Sequence, residues 1–365
     1  MSQDSTPPLT LDDIRREINQ IDADLVRLLS RRAECAIEIG KVKGLTGKPF
    51  FTPEREREIF KSLKEKNPGP LSYPQLQAIF REVISAARAA ELPLTIAFWG
   101  PEGTFSNSAA IKIFGNSCTF LSCGSISEVF RATETGQANY GVVPVENSVG
   151  GMVTETLDCF PECPLKICSE ATMKIEQNLA THCSELSEIE RIYSGPQPTA
   201  QCRHWIREHL PNAQVIDVAP TSAAALRAME DPKGAAIVNQ LAAELLGLPI
   251  LAEHIHDNSL NRTRFLVIGS NEPSPSGQDK TSLLLNLGHK PGELYRALGA
   301  FVAYGVNLQL VESRPHPRGD QSYIFFIDCE GHKSEPGVAG ALEGLVRQGI
   351  AMNLLGSYPV SLWNE

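Results

Sequence analysis

Residues 11–44 read LDDIRREINQIDADLVRLLSRRAECAIEIGKVKG, and their spacing decides how the first part of the chain folds. Leu11, Ile14, Ile18, Ile21, Leu25, Leu28, Cys35, Ile39 and Val42 recur three and four residues apart, with Arg32 the one charge in the seam. That period is helical. Thr10 with Asp13 forms a capping-box start, and Gly44 and Gly47 supply the stop. At about 1.5 Å per residue such a helix runs about 50 Å, whereas a globule of roughly 90 residues has a radius of gyration of about 12 Å. The helix therefore overhangs its own domain, and a partner chain is expected to cover the rest.

Two more helices follow. Thr52 before Pro53 opens one, and Ser72 with Gln75 opens the other; Asn67-Pro68-Gly69-Pro70 and Pro93 close them. Residues 1–93 thus read as an all-α three-helix domain. Lys43 lies eleven residues beyond Arg32, about three turns, on nearly the same face. The two cations either close on one anion or serve separately, Arg32 snorkelling and Lys43 complementing the helix dipole. Arg15 precedes Arg32 by 17 residues, about 25 Å along the axis; if it joins them, it comes from the second chain. Glu91 continues the apolar stripe Leu76, Phe80, Val83, Ala87 of the third helix, where a carboxylate opposes the dipole.

The whole chain has 365 residues, 42% hydrophobic and 21% charged, which implies two or three domains. A net charge of −10 supplies no global field for nucleic acid or an anionic membrane, so an anionic ligand must be met by local cations. No apolar run approaches the roughly 20 residues of a membrane helix, and the opening MSQDSTPPLT has no signal-peptide pattern, so a cytoplasmic location is expected. The nine scattered cysteines suit reduced thiols. Cys159, Cys163, Cys168, His182 and Cys183 fit no zinc spacing, and His254 with His256 lacks a third ligand, so no metal is expected.

From Leu94 the pattern alternates between strand and helix. Strands are expected at 94–100, 140–145, 191–194, 213–218, 234–238 and 264–269, with helices near 197–210 and 221–230. Residues 94–271 thus read as an α/β domain of two lobes with a cleft between them. Gly100-Pro101-Glu102-Gly103-Thr104 leads into a helix whose N–H groups suit an anion, but the dinucleotide fingerprint is incomplete and no cofactor is implied. Polar residues gather at strand ends: Glu146-Asn147-Ser148, Ser194 before Pro196-Gln197-Pro198, Gln201, and Asn261-Arg262-Thr263-Arg264. Ligands of α/β folds collect at such ends.

The stretch NEPSPSGQ (271–278) has linker composition. Residues 279–365 then give strand 281–287, helix 292–304, strands 307–313 and 321–328, helix 336–347 and strand 351–358. That βαββαβ order is ferredoxin-like.

The run REINQIDADLVRLLSRRAECAIEIGKVK with PERERE resembles the chorismate mutase domain fused to prephenate dehydratases. The resemblance implies that Arg15 of the partner chain, Arg32, Lys43, Arg55, Glu56 and Glu91 line a substrate pocket. Thr52 stands where many relatives have Asp and Glu91 where some have Gln, which leaves Thr52 as a substrate contact or only an N-cap. GPEGTFS, VVPVENS, YSGPQPTAQC, TSAAA and Thr263-Arg264-Phe265, in this order, resemble prephenate dehydratase. This second resemblance implies that Thr263 is the principal catalytic residue, that Asn147, Ser194 and Gln201 hold the substrate or its leaving hydroxyl, and that Arg264 binds substrate. Gly292-Glu293-Leu294-Tyr295 and Glu312-Ser313-Arg314-Pro315 resemble the two ligand-binding stretches of an ACT domain, the first departing from the usual GALV. They imply phenylalanine bound between two paired ACT domains as a feedback inhibitor.

The implied enzyme converts chorismate to prephenate and prephenate to phenylpyruvate, as a homodimer or higher oligomer. The rearrangement is unimolecular, so its site need only hold the reactive conformer and stabilise charge on the ether oxygen. Lys43 and Glu91 would donate there; a carboxyl donates only when protonated, so mutase activity is expected to fall as pH rises. Dehydration expels water and carbon dioxide, and the departing hydroxide needs a proton near Thr263. Two alternatives stand beside this reading: a monofunctional dehydratase whose helices only dimerise the chain, and a non-catalytic amino-acid sensor.

Overall fold

A computed structural model of the chain describes residues 10–218, 221–288, 290–315 and 323–361. The first helix, α1 (Leu11–Thr46), begins at Thr10 in a complete capping box with Asp13 and ends at Gly47, which takes the left-handed conformation at φ 66°. Gly44, expected to help stop it, lies inside the helix. Helices α2 (Pro53–Lys66) and α3 (Tyr73–Glu91) follow, and Ser72 and Gln75 form the second capping box. Of α1 only Ala36 is buried, while Ile14, Ile18, Ile21, Leu25, Leu28, Ile39 and Val42 are all exposed. A long helix that packs on α3 along part of one face leaves the rest of its seam uncovered.

The next unit runs β1 (Thr95–Trp99), α4 (Phe105–Phe114), β2 (Thr119–Cys123), α5 (Ile126–Glu134), β3 (Tyr140–Asn147), β4 (Gly151–Met152), α6 (Thr154–Cys159) and β5 (Lys166–Lys174). The chain then crosses into a second lobe: β6 (Asn178–Thr181), β7 (Arg191–Ser194), α7 (Pro196–Gln201), α8 (Arg203–His209), β8 (Gln214–Asp217), α9 (Thr221–Glu230), β9 (Gly234–Val238), α10 (Gln240–Leu246) and β10 (Ile250–Ala252). It returns through β11 (Arg262–Gly269), which inserts between β3 and β5 of the first lobe. The lobe sheets are ordered β2-β1-β3-β11-β5, with β4 on β3, and β10-β6-β9-β7-β8. Two lobes joined by two crossings, as expected, leave a cleft between them. The helix expected over 197–210 is broken at Cys202 into α7 and α8, and β2, β4, β5, β6 and β10 are additional to the strands read from sequence.

The last unit is β12 (Asp279–Leu287), α11 (Glu293–Ala303), β13 (Leu308–Pro315), β14 (Tyr323–Glu330), α12 (Pro336–Arg347) and β15 (Ala351–Pro359). Its sheet is ordered β13-β14-β12-β15, every pair antiparallel, so the βαββαβ order expected is the order found. Residues 321–322 of the expected third strand lie outside the described residues.

These units share cores. Leu283, Leu285 and Leu287 of β12 pack under α11 and α12, whereas Leu284, Ile324, Phe326, Leu355 and Tyr358 join a core with Phe160, Ile167 and Leu266 of the first lobe. β12 is therefore apolar on both faces, which explains its run LLLNL. Gly356 makes the contact between β15 and β5 possible: a Cβ there would stand 2.3 Å from the Ile167 carbonyl oxygen. At the other end Phe51, between α1 and α2, is buried against Phe114 and Tyr140 of the α/β unit, with ring centroids 4.8 and 5.3 Å away. Among the described residues no helix is long and apolar enough to cross a membrane.

Candidate active sites

The crossing of α1 and α3 builds the first site. It depends on Gly40, where a Cβ would stand 2.8 Å from Glu91 Cγ and 3.0 Å from its carbonyl oxygen, so only glycine lets the helix ends approach this closely. One turn on, the Lys43 ammonium stands 2.8 Å from Glu91 Oε1, a charge contact without hydrogen-bond geometry, and donates to the Phe50 carbonyl at 3.3 Å. Arg32 is half-buried and donates to the Val83 carbonyl of α3 at 3.2 Å. Burial holds its guanidinium below the usual arginine range, with Glu56 opposing. Glu56 is buried, and burial pushes its carboxyl up, while Arg88, its hydrogen-bond partner, and Lys43 pull it back. Arg32, Lys43, Glu56 and Glu91 thus form one electrostatic group.

Three expected members stand apart from it. Arg15 is 67% exposed and pairs with Asp12, far up α1. Arg55 is exposed and donates to Glu58 of its own helix, because successive positions of α2 turn away from the face that buries Glu56. Thr52 is the N-cap of α2, yet its side chain makes no capping hydrogen bond.

The second site lies in the cleft, a cavity of about 310 Å³ between the lobes. Antiparallel register places Thr263 of β11 opposite Asn147 at the end of β3, and the Asn147 amide donates to the Thr263 hydroxyl at 2.9 Å. The same amide bonds Asn261 Oδ1 at 2.9 Å, and the Asn147 carbonyl oxygen accepts from the backbone of Val149 and Gly150. Across the cleft Gln177 donates to Gln201 at 3.0 Å. The side-chain Oε1 of Gln177 is buried in the cleft wall with no partner among the described residues. Asn239, the cap of α10, donates to the Gly103 carbonyl at 2.8 Å and latches one lobe to the other.

No Lys, Arg or His is among the described residues lining this cleft, contrary to the expectation of local cations. The first turn of α4, Phe105 and Ser106 behind the Thr104 cap, lines it instead, and a helix N-terminus offers an anion free N–H groups. Arg264, expected to bind substrate, does not reach the cleft. Consecutive residues of a strand face opposite ways, and its guanidinium is buried on the far side against Glu170, Asp328 and Tyr358. Nor does Ser194 line the cleft: it is fully buried, and its hydroxyl donates to the Gly195 carbonyl.

The two stretches of the C-terminal unit flank β14, since Ser313 and Pro315 of the second pair with Phe325 and Tyr323, which line the recess of the first. Glu293 and Leu294 line a recess with Leu287, Tyr323 and Phe325, whereas Tyr295 is 81% exposed. Gly292 takes φ 82° at the start of α11. Glu312, Ser313, Arg314 and Pro315 lie on the sheet-edge strand β13, where Arg314 donates to both Asp158 oxygens of α6 at 3.1 and 3.0 Å.

Residues 14–92 match the chorismate mutase type II family and residues 96–273 the prephenate dehydratase family. The bifunctional chorismate mutase/prephenate dehydratase of Aquifex aeolicus is 41% identical over 359 residues, 97% of this chain and 99% of that one. The chain belongs to the bifunctional chorismate mutase/prephenate dehydratase family. The protein of the same description from Stutzerimonas stutzeri is 42% identical over 95% of this chain and 96% of its own. The crystal structure of prephenate dehydratase from Arthrobacter aurescens in complex with L-Phe aligns at a TM-score of 0.68 and 38% identity, covering 74% of this chain and 92% of that one. The chain is an enzyme with both activities, the rearrangement of chorismate to prephenate and the conversion of prephenate to phenylpyruvate.

Sequence reading missed Arg88, Gln177 and Asn239. Arg88 carried a faint signal, a cation next to Ala87 at the border of the apolar stripe of α3. It is buried, with its guanidinium 5.2 Å from the Phe51 ring centroid and 5.5 Å from that of Phe114. Gln177 and Asn239 sit at the ends of strands whose polar termini look like ordinary loops.

Proposed function

We propose that residues 1–93 carry the mutase site, residues 94–271 the dehydratase site, and residues 279–365 an ACT domain that senses phenylalanine. In the helical site Arg32 and the partner chain's copy of the Arg15 side chain hold the two carboxylates of chorismate, for which planar guanidinium groups are suited. Lys43 and the Glu91 side chain act as donors to the ether oxygen, where negative charge grows in the transition state. Glu56 and Arg88 hold the floor of the site. The exposed seam of α1 supports a homodimer in which each chain completes the other's pocket.

In the cleft the first turn of α4 receives a carboxylate of prephenate. Gln201 and the unpartnered side-chain Oε1 of Gln177 meet the polar groups at the other end. The Asn147 amide donates to Thr263 Oγ1, which leaves the hydroxyl proton of Thr263 free for the departing hydroxyl of prephenate. That proton leaves with the hydroxyl as water, the ring carboxylate leaves as carbon dioxide with its bonding electrons entering the ring, and solvent returns a proton to Thr263 Oγ1. A threonine hydroxyl is a weak acid, and a donor on its oxygen is what makes it a better one. The single observation that carries this reading is the Asn147–Thr263 hydrogen bond in a cleft walled by both lobes.

The Arthrobacter aurescens enzyme is described in complex with L-Phe, and the same effector is proposed for this chain, inhibiting dehydration in the cytoplasm. Among the described residues the strand carrying Glu312–Pro315 is an unpaired sheet edge beside the recess at Glu293 and Leu294, which supports a site completed by a second copy. Incubating the purified chain with chorismate, with and without phenylalanine, and following chorismate loss and phenylpyruvate formation tests the proposal. Both conversions are expected, the second suppressed by phenylalanine.

A further inference from the structure

Thr263 and Arg264 are neighbours on β11 but serve different parts of the molecule. Thr263 faces the cleft, while Arg264, buried behind it, spends its guanidinium in three directions: Nε on Glu170 at 2.7 Å, Nη1 on Asp328 at 2.5 Å and Nη2 on the Tyr358 hydroxyl at 3.0 Å. Asp328 and Tyr358 belong to β14 and β15 of the C-terminal unit, are themselves fully buried, and are joined through the Ser282 hydroxyl at 2.5 Å from each. Lys280 of β12 completes the group on Glu170 at 3.0 Å.

We propose that Arg264 is a positioning residue for dehydration, through which the placement of the C-terminal unit sets the placement of the Thr263 hydroxyl. The inference rests on the reading of Thr263 as proton donor. Two features of the backbone favour it. The register of β11 against β3 shifts between Arg264 and Phe265, so a bulge lies beside the reacting pair, and bulges re-aim adjacent side chains. The ties are also buried charge pairs, which cannot be stretched gradually: losing one partner leaves the other charge stranded away from water. A shift of the C-terminal sheet against the first lobe therefore drags β11 at Arg264 or breaks the group, giving two discrete arrangements that an effector can favour unequally.

The test uses the full chain with Arg264→Gln, Arg264→Lys, Tyr358→Phe and, as a control, Thr263→Ala. For Arg264→Gln the dehydration kcat should fall about tenfold or more with KM within about twofold, since the loss is one of transition-state placement. Mutase kcat should hold, and Arg264→Lys should recover part of the loss. Tyr358→Phe removes one tie without stranding a charge; it should change the phenylalanine concentration for half-inhibition about fivefold or more while calorimetry still detects phenylalanine binding. Where Arg264→Gln also loses mutase activity, the variant has failed to fold and Tyr358→Phe decides. Wild-type dehydration and wild-type inhibition in Tyr358→Phe would overturn the proposal, as would a rise in KM alone in a folded Arg264→Gln. Dehydration retained by Thr263→Ala would instead overturn the reading of Thr263, whatever the Arg264 variants do.

Discussion

Asn147 at the end of β3 donates its side-chain amide to the hydroxyl of Thr263 on β11, 2.9 Å away across an antiparallel pair. Register alone makes these residues meet, although 116 positions separate them in the chain. In the proposed reaction this donor polarises the hydroxyl and turns its proton toward the cleft. Replacing Asn147 with Ala should lower the dehydration kcat about 10²-fold, the usual effect of losing one preorganised donor, with mutase kcat unchanged. Steady-state assays with prephenate and with chorismate check both halves; wild-type dehydration would remove Asn147 from the reaction.

Lys43 and Glu91 meet at the crossing of α1 and α3. Lys43→Ala should abolish chorismate rearrangement while added prephenate is still dehydrated. Glu91→Gln keeps a donor at this position and should retain mutase activity, whereas Glu91→Ala should lower mutase kcat about 10²-fold. Mutase kcat/KM of the two variants decides it, and wild-type activity in Glu91→Ala would exclude Glu91 as the donor.

The uncovered seam of α1 gives a prediction about assembly. Ile18 and Leu25 are each 50% exposed on this helix, so Ile18→Glu with Leu25→Glu should shift sedimentation toward monomer. Mutase activity should fall with it, because Arg15 then has no neighbouring pocket to enter. A dimer that persists with full mutase activity would contradict the arrangement.

The helical domain was the most legible part, because its seam, both capping boxes and the Pro and Gly stops lie close together in the chain. The α/β unit was legible at its apolar strands and less so at β5, where Glu170 reads as a surface residue and is in fact buried between Arg264 and Lys280. A buried charge has no signature until its partners are known, and here they lie 94 and 110 residues away. Arg264 was drawn into the cleft by its neighbour in the Thr263-Arg264-Phe265 triplet, although strand alternation forbids both side chains from facing one way. Local cations were expected for the anionic substrate because charge can be counted in a sequence, whereas the free N–H groups of α4 cannot.

Acid stability should depend on Asp231, whose carboxylate accepts from Arg191 at 2.5 and 2.7 Å and from the Tyr193 hydroxyl at 2.9 Å. The Arg191 hydrogen bonds hold its pKa well below the usual aspartate range. The folded state thus binds this proton less readily than the unfolded chain, so the contribution is complete above the unfolded value of about 3.9 and is lost as pH falls below it. Chemical unfolding of the wild type and Asp231→Asn should show a stability gap at neutral pH that narrows below about pH 4. A gap constant down to the lowest accessible pH would contradict the assignment.

As proposed, Thr263 delivers a proton in one site while the other site works independently. The most direct test is Thr263→Ala in the full chain, supplied with chorismate and followed for both products. Chorismate should disappear at the wild-type rate and prephenate should accumulate with no phenylpyruvate beyond its uncatalysed formation. Phenylpyruvate appearing at the wild-type rate would contradict the central claim.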